Sequence, residues 1–118
     1  VIDSAEQWYN SLIIFHSKKW TNGLRVPNKE DLIKTGYRTP TFSYDTKNIL
    51  YGTADDDLYN KEQLIKVYDR HNETVRDYFR TKSNFIEVNV SNDDDYPRLA
   101  KFLNKKDTTG KFPWLNKT

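Results

Sequence analysis

Residues 84–104 read NFIEVNVSNDDDYPRLAKFLN, and the fold class turns on how the first half of that stretch is read. Phe85, Ile86, Val88 and Val90 predict a β-strand over 85–90, because aromatic and β-branched side chains suit a pleated, half-buried surface. From Asn92 the pattern changes. Asp93, Asp94 and Asp95 stand where the positive end of a helix dipole favours carboxylates, and Pro97 falls in the first turn, where a missing N–H costs nothing. Leu99, Phe102 and Leu103 form the apolar face of the predicted helix. A strand that runs straight into a helix is the order found in a parallel α/β sheet.

The start of the chain repeats that order. In VIDSAEQWYNSLIIFH (1–16), Val1–Ile2 read as the tail of a strand, and Ser4 with Gln7 makes an S-x-x-Q capping box. The helix behind it carries Trp8, Leu12 and Phe15 on one stripe, with Ile13 and Ile14 alongside, and TNG at 21–23 ends it. Asn28 caps a short helix from Lys29 to about Lys34, stopped by Gly36. Pro40 forces an extended approach, and YDTKNILYG (44–52) predicts a short helix closed by Gly52. The longest periodic run follows Asn60: Leu64, Tyr68, His71, Val75 and Tyr78 predict a helix from Lys61 to roughly Arg80 with one buried face. The tail KKDTTGKFPWLNKT (105–118) is a basic loop bearing aromatic residues.

One strand and a stub cannot make a sheet, and a lone strand leaves both edges unpaired. Partner strands are therefore expected upstream of Val1, with residues 1–118 a single region, the back half of a larger domain.

Composition narrows the chemistry. The 118 residues suffice for one modest core, and an aromatic content of 14% argues against disorder. A net charge of +2 is slight evidence for an anionic ligand and none for a duplex-binding surface, and the lack of cysteine removes disulfides, zinc–thiolate sites and cysteine nucleophiles. No run of about 18 apolar residues is present to span a membrane, and Asp3 and Glu6 are unlike a secretory leader. N-x-[ST] triplets at Asn72, Asn89 and Asn116 occur at the frequency chance provides and imply no glycosylation.

Few side chains invite a chemical role. His71 lies on the apolar stripe and reads as a hydrogen-bonded core histidine, and His16 as a structural residue favoured by the dipole at its helix end. No spacing suits a metal centre, and the runs Asp55–Asp57 and Asp93–Asp95 read as solvated helix starts. Ser11, one turn past Trp8, is either a backbone-bonded surface serine or a hydroxyl donor to an anion. Trp8 reads as core before it reads as a nucleotide platform. Lys105, Lys106, Lys111 and Lys117, interleaved with Phe112 and Trp114, form either a packed tail or a basic loop over an anionic ligand.

Taken in order, these stretches resemble the C-terminal half of a P-loop sulfotransferase of the bacterial type. The family's strand, Arg-Asp pair, Trp pair and serine look like VIDSAEQWYNS, with Asp3, Trp8, Tyr9 and Ser11 in matching places. LYNKEQLIKVYDRHNETVRDYF (58–79) is similar to the family helix with a Tyr-x-x-His-Asn run, and FPWLNKT (112–118) resembles its closing Phe-Pro-x-x-Asn signature. The resemblance implies an α/β fold, here the mostly helical C-terminal part with one or two parallel strands that need upstream partners. It implies transfer of a sulfuryl group from 3'-phosphoadenosine 5'-phosphosulfate (PAPS) to a hydroxyl or amine, leaving adenosine 3',5'-bisphosphate. The acceptor would be a small molecule or carbohydrate, with no nucleic acid or membrane partner, in the cytoplasm. Of the pair that holds the 3'-phosphate in the family, Ser11 is present and the arginine's place is taken by Ile2.

The family's glycine-rich loop and catalytic base have no counterpart here, since GTADDD (52–57) lacks the glycines and lysine of a phosphate cradle. No catalytic residue is assigned to this chain. Two other readings stand beside the enzyme: a non-catalytic or degenerate remnant that keeps the helical packing, and a helical interaction module with docking aromatics. An orphan strand edge would also promote self-association.

Overall fold

The computed structural model describes residues 4–36, 38–106 and 109–113. Among them are five helices: α1 (Ala5–Thr21), α2 (Lys29–Lys34), α3 (Phe42–Tyr51), α4 (Lys61–Phe79) and α5 (Asp95–Phe102). No strand occurs among the described residues, and no helix there is long and apolar enough to cross a membrane. The chain divides into two compact units, with the boundary inside α4 between His71 and Asn72.

In the unit Ala5–His71, local signals place several helix ends. Asn28 and Asp31 cap α2 reciprocally: the Asp31 N–H donates to Asn28 Oδ1 at 2.9 Å and the Asn28 N–H to Asp31 Oδ2 at 2.9 Å. Gly52 closes α3 at φ 59°, a left-handed conformation that costs glycine little, and its N–H reaches the Asn48 carbonyl at 3.0 Å. Asn60 accepts the Gln63 N–H at 2.9 Å, while the Gln63 amide donates to the Tyr51 carbonyl at 3.0 Å. That second bond ties the start of α4 to an orphan carbonyl at the end of α3.

These ends aim the apolar faces at one another. Leu32, Leu58, Tyr59 and Leu64 form the buried core, and α1 lays Trp8, Tyr9, Leu12, Ile13 and Trp20 against it. Trp8 stacks on Tyr68, with centroids 4.7 Å apart and planes at 21°. Thus α1 serves mainly as a wall of aromatic side chains.

From Asn72 onward, the fold departs from the expected strand. Segment 85–89 is irregular, although Val88 is buried and Phe79 of α4 stacks on Phe85 at 4.7 Å. A strand needs a neighbour to take its N–H and C=O groups, and no ladder forms among the described residues. The Asn89 N–H goes instead to Asp95 Oδ2 at 2.8 Å. The stub Val1–Ile2 lies outside the described residues.

Helix α5 ends in a Schellman motif: Asn104 is left-handed at φ 53°, and the Lys105 N–H reaches the Ala100 carbonyl at 2.9 Å. The expected face of α5 is corrected. Leu99 is half-buried, but Phe102 and Leu103 are 41% and 54% exposed, and Tyr96 supplies the inner contact by meeting Phe112 edge-on at 5.3 Å. The stripe of α4 is corrected too. His71 is exposed and Tyr78 is 66% exposed, while Phe79 turns inward, because Phe85 offers a partner on that side.

Leu64 is fully buried and Leu24 is 85% exposed. Leu64→Ala is expected to cost about 3 kcal/mol in urea unfolding, and Leu24→Ala less than about 0.5 kcal/mol. Equal costs would contradict this placement of the core.

Candidate functional site

Helix α3 turns Ser43, Lys47 and Tyr51 to one face by their spacing of four. Ser43 and Lys47 are buried on that face, so a lysine enters the interior. No carboxylate among the described residues pairs with its ammonium. Lys47 Nζ donates to the Leu58 carbonyl at 3.1 Å and stands 3.6 Å from the Tyr59 ring centroid and 4.8 Å from that of Tyr51. Carbonyl and ring faces compensate the charge by dipole and quadrupole. Burial still penalises the charged form, and pulls the Lys47 pKa down from 10.5 to about 8.

Tyr59 links this ammonium to α1. Its hydroxyl lies 2.7 Å from His16 Nδ1, and its carbonyl accepts the Tyr9 hydroxyl at 2.7 Å. Burial raises the Tyr59 pKa, so the phenol stays protonated. Burial also lowers the His16 pKa to about 4, with Lys47 and Lys19 adding repulsion. The dipole expected to favour a charged His16 is outweighed by desolvation, and the imidazole is neutral near pH 7.

His16 and Lys47 line a cavity of about 430 Å³. Leu12, Phe15 and Trp20 of α1 face Phe42, Leu50 and Tyr51 of α3 across it. Its charged lining residues are Lys19 and Lys47, with no carboxylate. Such a volume lies in the range of small-molecule sites, about 300–1,000 Å³.

Sequence reasoning missed Lys47 and Tyr59. The available signal was a lysine on the inner face of an amphipathic helix, four residues from a serine and four from a tyrosine. Ser11 is exposed on α1 and lies outside this cavity, in a neighbouring depression of about 200 Å³ shared with Trp8, Leu12 and Phe15. Leu12 and Phe15 line both hollows. One face of Trp8 is taken by Tyr68.

The remaining candidates are dispersed. Expected to be buried, His71 is exposed. Among the described residues, no group of three or more His, Cys, Asp or Glu is placed to hold a metal ion. Asp55 belongs to the fold: it accepts the Tyr44 hydroxyl at 2.5 Å and Lys29 Nζ at 3.3 Å, and these donors hold its pKa low, Tyr44 contributing most. Asp57 accepts from the Asn60 amide at 2.8 Å rather than capping α4 itself. Asp95, in the first turn of α5, takes the Asn89 N–H and Arg98 Nη1, the latter at 2.7 Å. Lys105, Lys106 and Lys111 are exposed, Phe112 is half-buried, and Trp114 and Lys117 lie outside the described residues.

A family model described as "Sulfotransferase domain" matches residues 2–118. No curated protein and no solved structure matches the chain significantly.

The neutral histidine has a measurable consequence. Its folded pKa of about 4 lies below the ordinary 6.5, so the unfolded chain binds this proton more readily between those values. Stability therefore falls as the pH drops through that window, on the order of 2 kcal/mol after allowing for partial exposure. Thermal melts between pH 7 and 4 should show His16→Gln losing less stability than the parent chain. Parallel losses would contradict a neutral, buried His16.

Proposed function

Because the chain belongs to the sulfotransferase domain family, we propose that it supplies the C-terminal portion of a sulfotransferase using PAPS, with Ser11 as a contact to the cofactor's 3'-phosphate. The observation that carries the reading is the family match over 2–118, within which Ser11 is exposed beside an aromatic depression. PAPS supplies the sulfuryl group, and the acceptor is a hydroxyl or amine of a small molecule or carbohydrate. A cytoplasmic location is part of the same reading.

The residues present fit the cofactor in part. Ser11 offers a hydroxyl to a phosphate oxygen, and Trp8 and Phe15 offer ring surface to a base. No cation lines the depression. Ile2, in the family arginine's place, lies outside the described residues and is apolar. The hydroxyl can orient a phosphate without neutralising it. That lack favours a second reading, a remnant that retains the packing without the chemistry. The strand edge that would have driven self-association is not present among the described residues.

Calorimetric titration of the chain with adenosine 3',5'-bisphosphate tests the first reading. Binding is expected, and Ser11→Ala should weaken it about tenfold, the loss of one hydrogen bond to a charged group. Equal affinity of the two chains would remove Ser11 from the site. No binding by a folded chain would favour the remnant.

A further inference from the structure

We propose that the cavity walled by α1 and α3 binds a small amphiphile with an apolar body and a single anionic head, at a site separate from Ser11. The cavity, about 430 Å³, lies wholly within the unit Ala5–His71. Its walls are mainly apolar and aromatic, including Leu12, Phe15, Trp20, Phe42 and Leu50. These suit a hydrocarbon or aryl body.

Charge complementarity points to the head. Both charged lining residues are lysines, and the lining includes no carboxylate. The Lys47 ammonium has three N–H groups; one is given to the Leu58 carbonyl, and among the described residues the ring faces of Tyr59 and Tyr51 also lie against it. A ring face compensates a buried cation less than an anionic oxygen does. Lys19, exposed and 5.6 Å from the Trp20 ring centroid, adds positive potential at the rim. His16 contributes no charge near pH 7, because burial keeps it neutral.

The same features limit the occupant to one charge. A polyanion would bring into the apolar walls charges that one buried ammonium cannot compensate. A neutral molecule would fill the volume and leave the ammonium on its ring faces. A carboxylate or a sulfate head meets the requirement equally, and the test separates them.

Octyl sulfate, octanoate and octan-1-ol, titrated calorimetrically below micelle formation, share a chain and differ in the head. At least one of the two anions should bind with one-to-one stoichiometry, about tenfold tighter than the alcohol. The tighter anion identifies the preferred head. Lys47→Met should bring that anion down to the affinity of the alcohol and leave the alcohol unchanged.

Leu50 is 53% exposed, so it can be changed without disturbing the core. Leu50→Glu should weaken the anion about tenfold relative to Leu50→Gln by placing a carboxylate at the lining. This pair keeps the test decisive if Lys47→Met does not fold. Alcohol binding as tight as the tighter anion, several anions bound per chain, or equal affinity of Leu50→Glu and Leu50→Gln would overturn the site.

Discussion

A lysine ammonium held away from water, with no carboxylate partner among the described residues, is the constraint around which the N-terminal unit is arranged. Lys47 of α3 delivers its charge to the Leu58 carbonyl and to the face of Tyr59, 3.6 Å from the ring centroid. The same carbonyl accepts the Thr53 hydroxyl at 2.8 Å. Tyr59 in turn touches α1 twice, through its hydroxyl to His16 and its carbonyl to Tyr9. One charge thus organises the connection between α3 and α4 and fastens it to α1. An unpartnered buried charge costs several kcal/mol, so each of these dipoles matters to the position of the next.

Two hollows on α1 have different chemistry as a result. The cavity beside Lys47 is apolar with cations in its lining, and the depression beside Ser11 is aromatic with a hydroxyl and no cation. Leu12 and Phe15 are walls of both, because residues three apart lie on one face of a helix, here the ridge between the two hollows. The proposed cofactor contact, Ser11, lines the second of these hollows. The strongest shifts of ionisation lie elsewhere, at His16, Lys47 and Tyr59.

The helices were legible because their signals are local. Asn28 and Asp31 are three residues apart and cap each other whatever surrounds them, and Gly52 closes α3 through its own backbone freedom. Segment 85–90 was not legible in this way. Phe85 and Val88 do turn inward, as an apolar segment must, but a strand is defined by the chain beside it, and here an aspartate side chain takes the Asn89 N–H. The burial of α4 is a similar case: periodicity marked a stripe through His71 and Tyr78, whereas Phe79 is the residue that meets Phe85. Which edge of a stripe is covered depends on where a partner lies.

By itself, the sequence determined five helical segments, the reciprocal cap of α2, the glycine close of α3, the absence of cysteine chemistry, and membership of the sulfotransferase domain family. Each of those depends on residues near one another in the chain or on the order of motifs along it. The tertiary structure alone decided that Lys47 is buried, that His16 is neutral and bonded to Tyr59, and that a cavity opens between α1 and α3. Lys47 and Leu58 are 11 positions apart and His16 and Tyr59 are 43 apart. Ionisation and burial depend on distance in space, and that distance exists only once the helices have packed.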